Sequence, residues 1–150
     1  MRDRGLRLGV CLLAAACGGD GGTGPTTSHH VAGDWTYETR TLQDGHGTTC
    51  ATTGTTITFA QSGIDVTGSI VGGTISCIHL SDTTSGWLGV GQVQNGVIHG
   101  DSVDFYVDGS TWRSFGMFVT PDSAAGTVNV IFDVQGTQHI LVGHWYSKRQ

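Results

Sequence analysis

The four cysteines of this 150-residue chain are the residues whose chemistry is easiest to constrain, and two of them lie near the N-terminus. The other two, Cys50 and Cys77, lie in the body of the chain. An even pair suits a disulfide if the protein is exported to an oxidising compartment. Together with His46 and His79, the same pair would suit zinc, which prefers thiolate and imidazole ligands. The compartment therefore decides between a structural bond and a metal site.

The histidines do not follow a metal-binding pattern. His29 and His30 lie beside a glycine-rich stretch, where metal affinity would be incidental. His139 and His144 lie five positions apart in a predicted strand. Because successive strand side chains alternate between faces, these two point to opposite sides and cannot share one ion. We therefore predict no metal site and no cofactor.

The sequence also lacks a recognisable catalytic arrangement. Asp101 and Asp104 are three positions apart, which puts them on opposite faces of a strand and prevents them from sharing a proton. The Gly-x-Ser-x-Gly turn that presents a catalytic serine does not occur. The glycine-rich stretches lack the strand and helix context of phosphate-binding loops. We predict that the protein is not an enzyme.

The first 17 residues are typical of an export signal. Three arginines precede a short apolar run, Leu8–Ala16, which is far below the ~20 residues that a membrane span needs. A basic start, a short apolar core and small residues before a cleavage site are the features of a secretory signal. The segment Leu13-Ala14-Ala15-Ala16-Cys17 resembles the bacterial lipobox, which implies a signal peptide over residues 1–16 and a lipid on Cys17. Export favours the disulfide over the zinc site.

Residues 17–30 are predicted to be the lipidated cysteine and a flexible tether, since Gly18–Ser28 contains no large apolar side chain. The residue after Cys17 is glycine, not aspartate, which resembles sorting to the outer membrane in a two-membrane bacterium. We expect a cell-envelope protein held to the membrane by lipid. Without residues 1–16 the chain has four basic and 11 acidic residues, a net charge of −7, so nucleic acid is not an expected partner.

Residues 31–150 are predicted to form an all-β domain. Glycine accounts for 25 of the 150 residues and charged residues for only 13%, a composition that suits strands with many tight turns better than helices. Apolar and polar residues alternate, for example, over Val103–Val107 and Val128–Val134. Turns are predicted at Gly72–Gly73, Asn95–Gly96 and Asp108–Gly109, since Asn-Gly and Asp-Gly are strong hairpin signals.

This pattern gives eight or nine strands with short links. Short links favour an antiparallel up-and-down barrel, because Greek-key sandwiches need longer crossovers. Several glycines fall inside the predicted strands, where they allow the sharp bends of a small barrel.

Gly33-Asp34-Trp35, on the first predicted strand, resembles the Gly-x-Trp signature of the calycins, the group of barrels that includes lipocalins and avidins. In lipocalins this tryptophan lies at the closed end of the barrel, and a basic residue after the last strand packs across it. The resemblance implies that Arg149 covers the indole ring of Trp35. We expect Trp35 to face inward and the first and last strands to be neighbours.

The resemblance also implies that the barrel binds a small hydrophobic ligand without catalysing a reaction. An eight-stranded barrel can hold one small ligand or be filled by its own side chains. The alternative function is therefore a structural or protein-interaction module, such as an inhibitor or an assembly accessory, with a filled barrel. An apolar cavity of about 300 Å³ or more would favour the ligand. The residues expected to line such a site or to close the barrel are Trp35, Tyr37, Phe59, Phe105, Phe132 and Arg149.

Overall fold

The computed structural model describes residues 29–109, 111–134 and 137–150, except for the side chains of residues 132–134 and 137. Nine strands contain most of these residues. The predicted signal peptide, Cys17 and the tether up to residue 28 lie outside these ranges. The strands are β1 (Gly33–Gln43), β2 (Thr48–Ser62), β3 (Asp65–His79), β4 (Asp82–Trp87), β5 (Val90–His99), β6 (Ser102–Val107), β7 (Trp112–Thr120), β8 (Ser123–Val134) and β9 (Thr137–Arg149).

Eight of these strands close into an antiparallel barrel. They are hydrogen-bonded in the order β2-β1-β9-β8-β7-β6-β5-β3, and pairing between β2 and β3 closes the ring. The first half of β3 pairs with β5, whereas Thr74–His79 pairs with β4. Among the described strands, β4 therefore stands outside the barrel at the edge of the sheet. The predicted up-and-down barrel is confirmed, with eight strands in the wall and a ninth attached to it.

Two of the predicted turns lie inside strands. Asn95–Gly96 is a bulge within β5, where the pairing register with β6 shifts and Asn95 has a φ of 51°. Gly72 and Gly73 lie within β3 at φ values of 71° and 92°. A bulge and a tight turn can both require left-handed backbone, so the same residues serve either structure. Asp108–Gly109 is a turn, as predicted.

The two ends of the barrel differ. At the closed end, the start of β1 meets the end of β9, and residues 29–32 lead into β1. At the flared end, the sheet continues past β5 as three strands, which are Thr48–Thr53 of β2, Thr74–His79 of β3 and the whole of β4. The inward side chains between these ends form one hydrophobic core.

Candidate functional site

The centre of the barrel is occupied by an aromatic cluster around Tyr37. The Tyr37 ring stacks on Trp145, with ring centroids 5.6 Å apart, and packs against Trp112 and Phe105 at 5.7 and 6.2 Å. Its hydroxyl shares a 2.7 Å hydrogen bond with the Ser114 hydroxyl and accepts a 3.2 Å hydrogen bond from the Trp112 indole N–H. Burial raises the pKa of Tyr37 well above its usual value, although both hydrogen bonds act in the opposite direction. This phenol is a neutral, fully partnered part of the core.

The cluster continues to the closed end and leaves almost no space there. Phe59 packs edge-on against Phe105 and Trp35, with ring centroids 5.4 and 6.4 Å apart. The cavity that remains among these three rings, Phe118, Trp145 and the neighbouring aliphatic and serine side chains has a volume of about 10 Å³. A drug-sized ligand pocket occupies several hundred cubic ångströms. The predicted inward residues Trp35, Tyr37, Phe59 and Phe105 are therefore together in the core, where they fill it.

Close backbone approach makes room for these large rings. Gly116 on β7 lies directly opposite Gly126 on β8. A Cβ atom on Gly126 would lie 2.0 Å from the Phe115 carbonyl oxygen, and one on Gly116 would lie 2.5 Å from the Trp145 ring. Side chains at these two positions would collide with the wall or with the aromatic cluster. The Trp145 indole N–H donates a 3.2 Å hydrogen bond to the Phe115 carbonyl and is thus satisfied within the wall.

Arg149 covers Trp35 at the closed end, as the Gly-x-Trp resemblance implied. The two residues are register partners on β9 and β1, and the guanidinium carbon lies 4.8 Å from the centre of the indole ring. The guanidinium also donates hydrogen bonds to the carbonyls of His30 and Ala32 and to the Asp122 carboxylate. Every part of this cation faces a partner, so Arg149 belongs to the closure of the barrel.

Residues 29–32 cap the same end. The His29 ring stacks on Phe118 with centroids 4.2 Å apart, and its Nε2 lies 2.9 Å from an Asp101 carboxylate oxygen. The Val31 N–H donates to the Gln61 side chain, while the Val31 carbonyl accepts a 2.7 Å hydrogen bond from the Trp35 indole. His29 and His30, placed in the tether by sequence reasoning, thus contact the barrel.

A polar layer separates the aromatic cluster from the flared end. The backbone N–H groups of Thr39 and Thr52 each donate to the other's hydroxyl, at 2.9 and 3.1 Å. The register between β1 and β2 shifts at this point. The two hydroxyls replace ladder hydrogen bonds lost at the irregularity, which explains why threonines are tolerated in the core.

The disulfide Cys50–Cys77 is present directly above this layer. The two cysteines are register partners on β2 and β3, with Cα atoms 4.0 Å apart. Their bond leaves neither sulfur as a thiolate, so the zinc alternative with His46 and His79 does not apply. Across all the described residues, no three His, Cys, Asp or Glu side chains come together in a way that would hold a metal ion.

Asp44 organises the turn between β1 and β2 at the flared end. One of its carboxylate oxygens accepts hydrogen bonds from the backbone N–H groups of His46 and Thr48, and the other lies 3.5 Å from the His139 imidazole. Burial alone would raise the pKa of Asp44, but these hydrogen bonds outweigh it and hold the pKa below the usual range. The carboxylate is a structural anion that fixes the turn.

A small recess lies where β4 passes into β5. It has a volume of about 120 Å³ and is lined by inward residues, including Ile70, Leu88 and Trp112, and by Gly89 and Gly91. This is less than half of the volume expected for a ligand pocket.

A recess with an aromatic lining lies on the outside of the barrel. This outer depression, of about 340 Å³, is lined by Arg113, Phe115, Thr127 and Asn129 of β7 and β8. Arg113 makes two hydrogen bonds to Asp104, at 2.6 and 3.2 Å, and lies over the Tyr106 ring. The hydrogen bonds to Asp104 raise the pKa of Arg113. Phe115 is 47% exposed. A cation held in place beside an exposed aromatic ring is a rigid contact surface.

Sequence reasoning missed the outer depression and the exposed aromatic residues. Phe115 and Trp87 were not among the predicted site residues, and both side chains are exposed on the outside of the sheet. The alternation along β7, in which Trp112, Ser114 and Gly116 face inward, was the available signal, but inward glycine and serine obscured it. The predicted site residue Phe132 lies on β8 with its side chain outside the described part.

Comparisons with protein-family models, curated protein sequences and solved structures returned no match to this chain. Within the residues that the structure describes, no helix is long and apolar enough to cross a membrane.

Proposed function

We propose that this protein is a lipid-anchored, non-enzymatic module of the cell envelope, with a calycin-like barrel that holds a protein partner on its outside. The observation that carries the proposal is the packing of the interior. The aromatic cluster occupies the volume that an internal hydrophobic ligand would require, and about 10 Å³ remains beside it. A filled barrel acts as a scaffold, and recognition is then a property of its surface.

The outer depression is the surface that best fits a partner. Arginine and aromatic side chains are enriched where protein interfaces are strongest. Arg113 is held by Asp104 and Tyr106, so little side-chain freedom is lost when a partner contacts it. Phe115 offers an apolar platform beside it, and Thr127 and Asn129 supply hydrogen-bonding groups.

The lipid anchor rests on the sequence of residues 1–17, and the position of residues 29–32 supports one orientation of the barrel relative to it. The chain enters the barrel at the closed end, where the His30 carbonyl accepts a hydrogen bond from Arg149. A lipid on Cys17 would hold this end toward the membrane. The flared end would then point away from it. Replacing Cys17 with serine should move the protein from the membrane fraction to the soluble fraction, and a variant that stays wholly membrane-bound would contradict the anchor.

Native mass spectrometry separates the filled barrel from the ligand-binding alternative. The full chain carrying Cys17→Ser, exported and purified from its own host without denaturation, should give the mass of the protein alone. A hydrophobic molecule bound at a one-to-one ratio would contradict the filled barrel and support the ligand.

Photo-crosslinking tests the outer depression. A photoreactive amino acid in place of Phe115 should give one discrete adduct in living cells. The same amino acid in place of Thr67, which lies on the outer face of β3 three strands away, serves as the control. Equal adduct patterns at both positions, or none at Phe115, would exclude the depression as the binding surface.

A further inference from the structure

The edge of β4 is unprotected. β4 pairs with β3 and ends the sheet within the described part of the chain, and all six of its residues are exposed. Natural edge strands usually carry lysine, proline or a bulge that prevents pairing with another chain. β4, Asp-Thr-Thr-Ser-Gly-Trp, has none of these, and its register with β3 is uninterrupted. Its one charged residue, Asp82, lies at its first position.

Strand geometry identifies the backbone groups that face the free edge. The two-residue turn Leu80–Ser81 makes His79 and Asp82 the first pair of the hairpin. In an antiparallel ladder, hydrogen-bonded and non-hydrogen-bonded pairs alternate, so Asp82, Thr84 and Gly86 bond to β3. The geometry of the disulfide agrees with this assignment of hydrogen-bonded and non-hydrogen-bonded pairs. The short Cα distance between Cys50 and Cys77 marks a non-hydrogen-bonded pair toward β2, which turns the Cys77 backbone toward Thr84. The N–H and C=O groups of Thr83, Ser85 and Trp87 therefore point to the free edge.

Exposed apolar side chains lie at both ends of the β4 edge. Leu80, Trp87 and Val90 are 82%, 71% and 70% exposed and are the three most exposed large apolar residues in the described part of the chain. Leu80 precedes β4, Trp87 ends it and Val90 follows it. Ile78, half exposed, lies on the same face of the sheet as its register partner Thr83.

We propose that β4 pairs with β4 of a second copy of this chain, antiparallel about a two-fold axis at Ser85. Ser85 then faces the partner's Ser85, and Thr83 faces the partner's Trp87. Residues directly opposite share a face of the sheet, so the partner's Trp87 lies beside Thr83 and next to Ile78. Leu80, in the turn before β4, then lies at the end of the contact nearest the partner's Val90. The result is one sheet that runs continuously through two barrels.

A second copy fits this edge better than an unrelated strand because the edge complements itself. The exposed apolar residues lie at opposite ends of β4, and only an antiparallel copy brings each end against the other. A two-fold interface requires this self-complementarity. The same register places Asp82 opposite the partner's Leu88, which keeps the two carboxylates at opposite ends of the contact.

Analytical ultracentrifugation tests the dimer. The exported full chain should show a reversible monomer–dimer equilibrium when it carries Cys17→Ser and, to remove the thiol in the predicted signal peptide, Cys11→Ser. Ser85→Pro removes an N–H that faces the free edge and none that bonds to β3, a position where proline is tolerated. It should raise the dimer dissociation constant roughly tenfold or more. Ser85→Ala keeps the N–H and loses only the hydroxyl contact to Ser76, so it should change that constant little. A wild-type chain that remains monomeric throughout would overturn the proposal.

Disulfide trapping tests the register without relying on the proline variant. Ser85→Cys in the same background should oxidise to a covalent dimer, because the axis brings the two Cα atoms to within about 6 Å of each other. Thr53→Cys, on the same outer face two strands from the edge, is the matched control and should remain monomeric. Equal trapping at both positions, or none at Ser85, would contradict the two-fold contact.

Discussion

The closed and flared ends of the barrel differ in what covers their apolar and polar groups. At the closed end, Trp35 is buried beneath Arg149, and residues 29–32 supply hydrogen-bond partners across the opening. At the flared end, Trp87 is exposed, and the outer edge of β4 has no partner strand among the described residues. The disulfide Cys50–Cys77 joins β3, which pairs with β4, to β2.

The two ends are stabilised by different kinds of contact. The closed end uses packing, a cation over an indole ring and hydrogen bonds to backbone carbonyls, all within one copy. The flared end uses a covalent bond to hold strands whose outer neighbour has few buried contacts. Regions of low local stability with exposed apolar groups are where binding and assembly are usually found. We therefore expect substitutions of buried residues at the closed end to lower the free energy of unfolding, and substitutions of exposed residues at the flared end to weaken association instead.

Replacing the two tryptophans should reveal the contrast most strongly. Trp35→Ala removes a buried indole and should lower the free energy of unfolding by about 3–5 kcal/mol. Trp87→Ala removes an exposed ring and should change it by no more than about 0.5 kcal/mol in the monomer. Urea unfolding at low protein concentration measures both. Similar losses for the two variants would mean that the ends do not differ in the way the structure indicates.

Removing the disulfide should lower the free energy of unfolding by a similar amount, but the loss of protection should be concentrated at the flared end. The bond closes a loop of 27 residues, which corresponds to about 3.5 kcal/mol on the chain-entropy model. Hydrogen exchange of the Cys50→Ala, Cys77→Ala double variant should accelerate first in β4 and the adjoining parts of β2 and β3. Uniform acceleration that includes β1 beside Arg149 would show that the flared end is not a separate unit of stability.

The buried phenol between the two ends should make the protein sensitive to alkali. Tyr37→Phe leaves Ser114 and Trp112 without their shared partner and should cost about 1–3 kcal/mol at neutral pH. The folded-state pKa of Tyr37 lies above its unfolded value near 10, so above that pH the unfolded chain loses a proton that the folded chain keeps. Stability should therefore fall with a slope of up to about 1.4 kcal/mol per pH unit.

Unfolding followed at several alkaline pH values checks this dependence. The slope contributed by Tyr37 should disappear in Tyr37→Phe and persist in Tyr106→Phe, whose ring lies on the outer face beneath Arg113. Equal slopes in the two variants would indicate that another group controls alkaline unfolding.

The same comparison explains which parts of the structure could be predicted from the sequence. The alternation of apolar and polar residues in β6 and in much of β8, together with the Asp108–Gly109 turn, made the barrel predictable, because each local pattern had one structural interpretation. The Trp35–Arg149 contact followed from a short motif and the register of two terminal strands. Gly72–Gly73 and Asn95–Gly96 were predicted as turns, whereas the structure uses them as irregularities within strands. Only long-range pairing distinguishes these alternatives.

The filled interior could not be predicted for a related reason. Whether aromatic residues line a cavity or fill it depends on how closely opposite strands approach. The facing pair Gly116 and Gly126 sets that approach beside Trp145, and their register across β7 and β8 is a property of the fold. The free edge of β4 was hidden as well, because a short polar stretch of threonine and serine resembles a link between strands.

The substitution of Arg149 has the smallest expected effect on stability, but it tests the closed end most specifically. Arg149→Ala should cost about 1 kcal/mol, because the guanidinium loses both the Trp35 ring and its hydrogen bonds to backbone carbonyls. Much of that cost reflects the carbonyls and Asp122, so the single variant alone does not measure the contact with the indole. A double-mutant cycle with Trp35→Ala isolates it, and the coupling energy should be about 0.5–2 kcal/mol. Lys148 is the matched control, since it lies on the same strand but points outward, and its coupling to Trp35 should be close to zero. Equal coupling for the two cations would show that Arg149 acts only through general charge at this end. It would also remove the strongest structural parallel to the calycins while leaving the barrel itself intact.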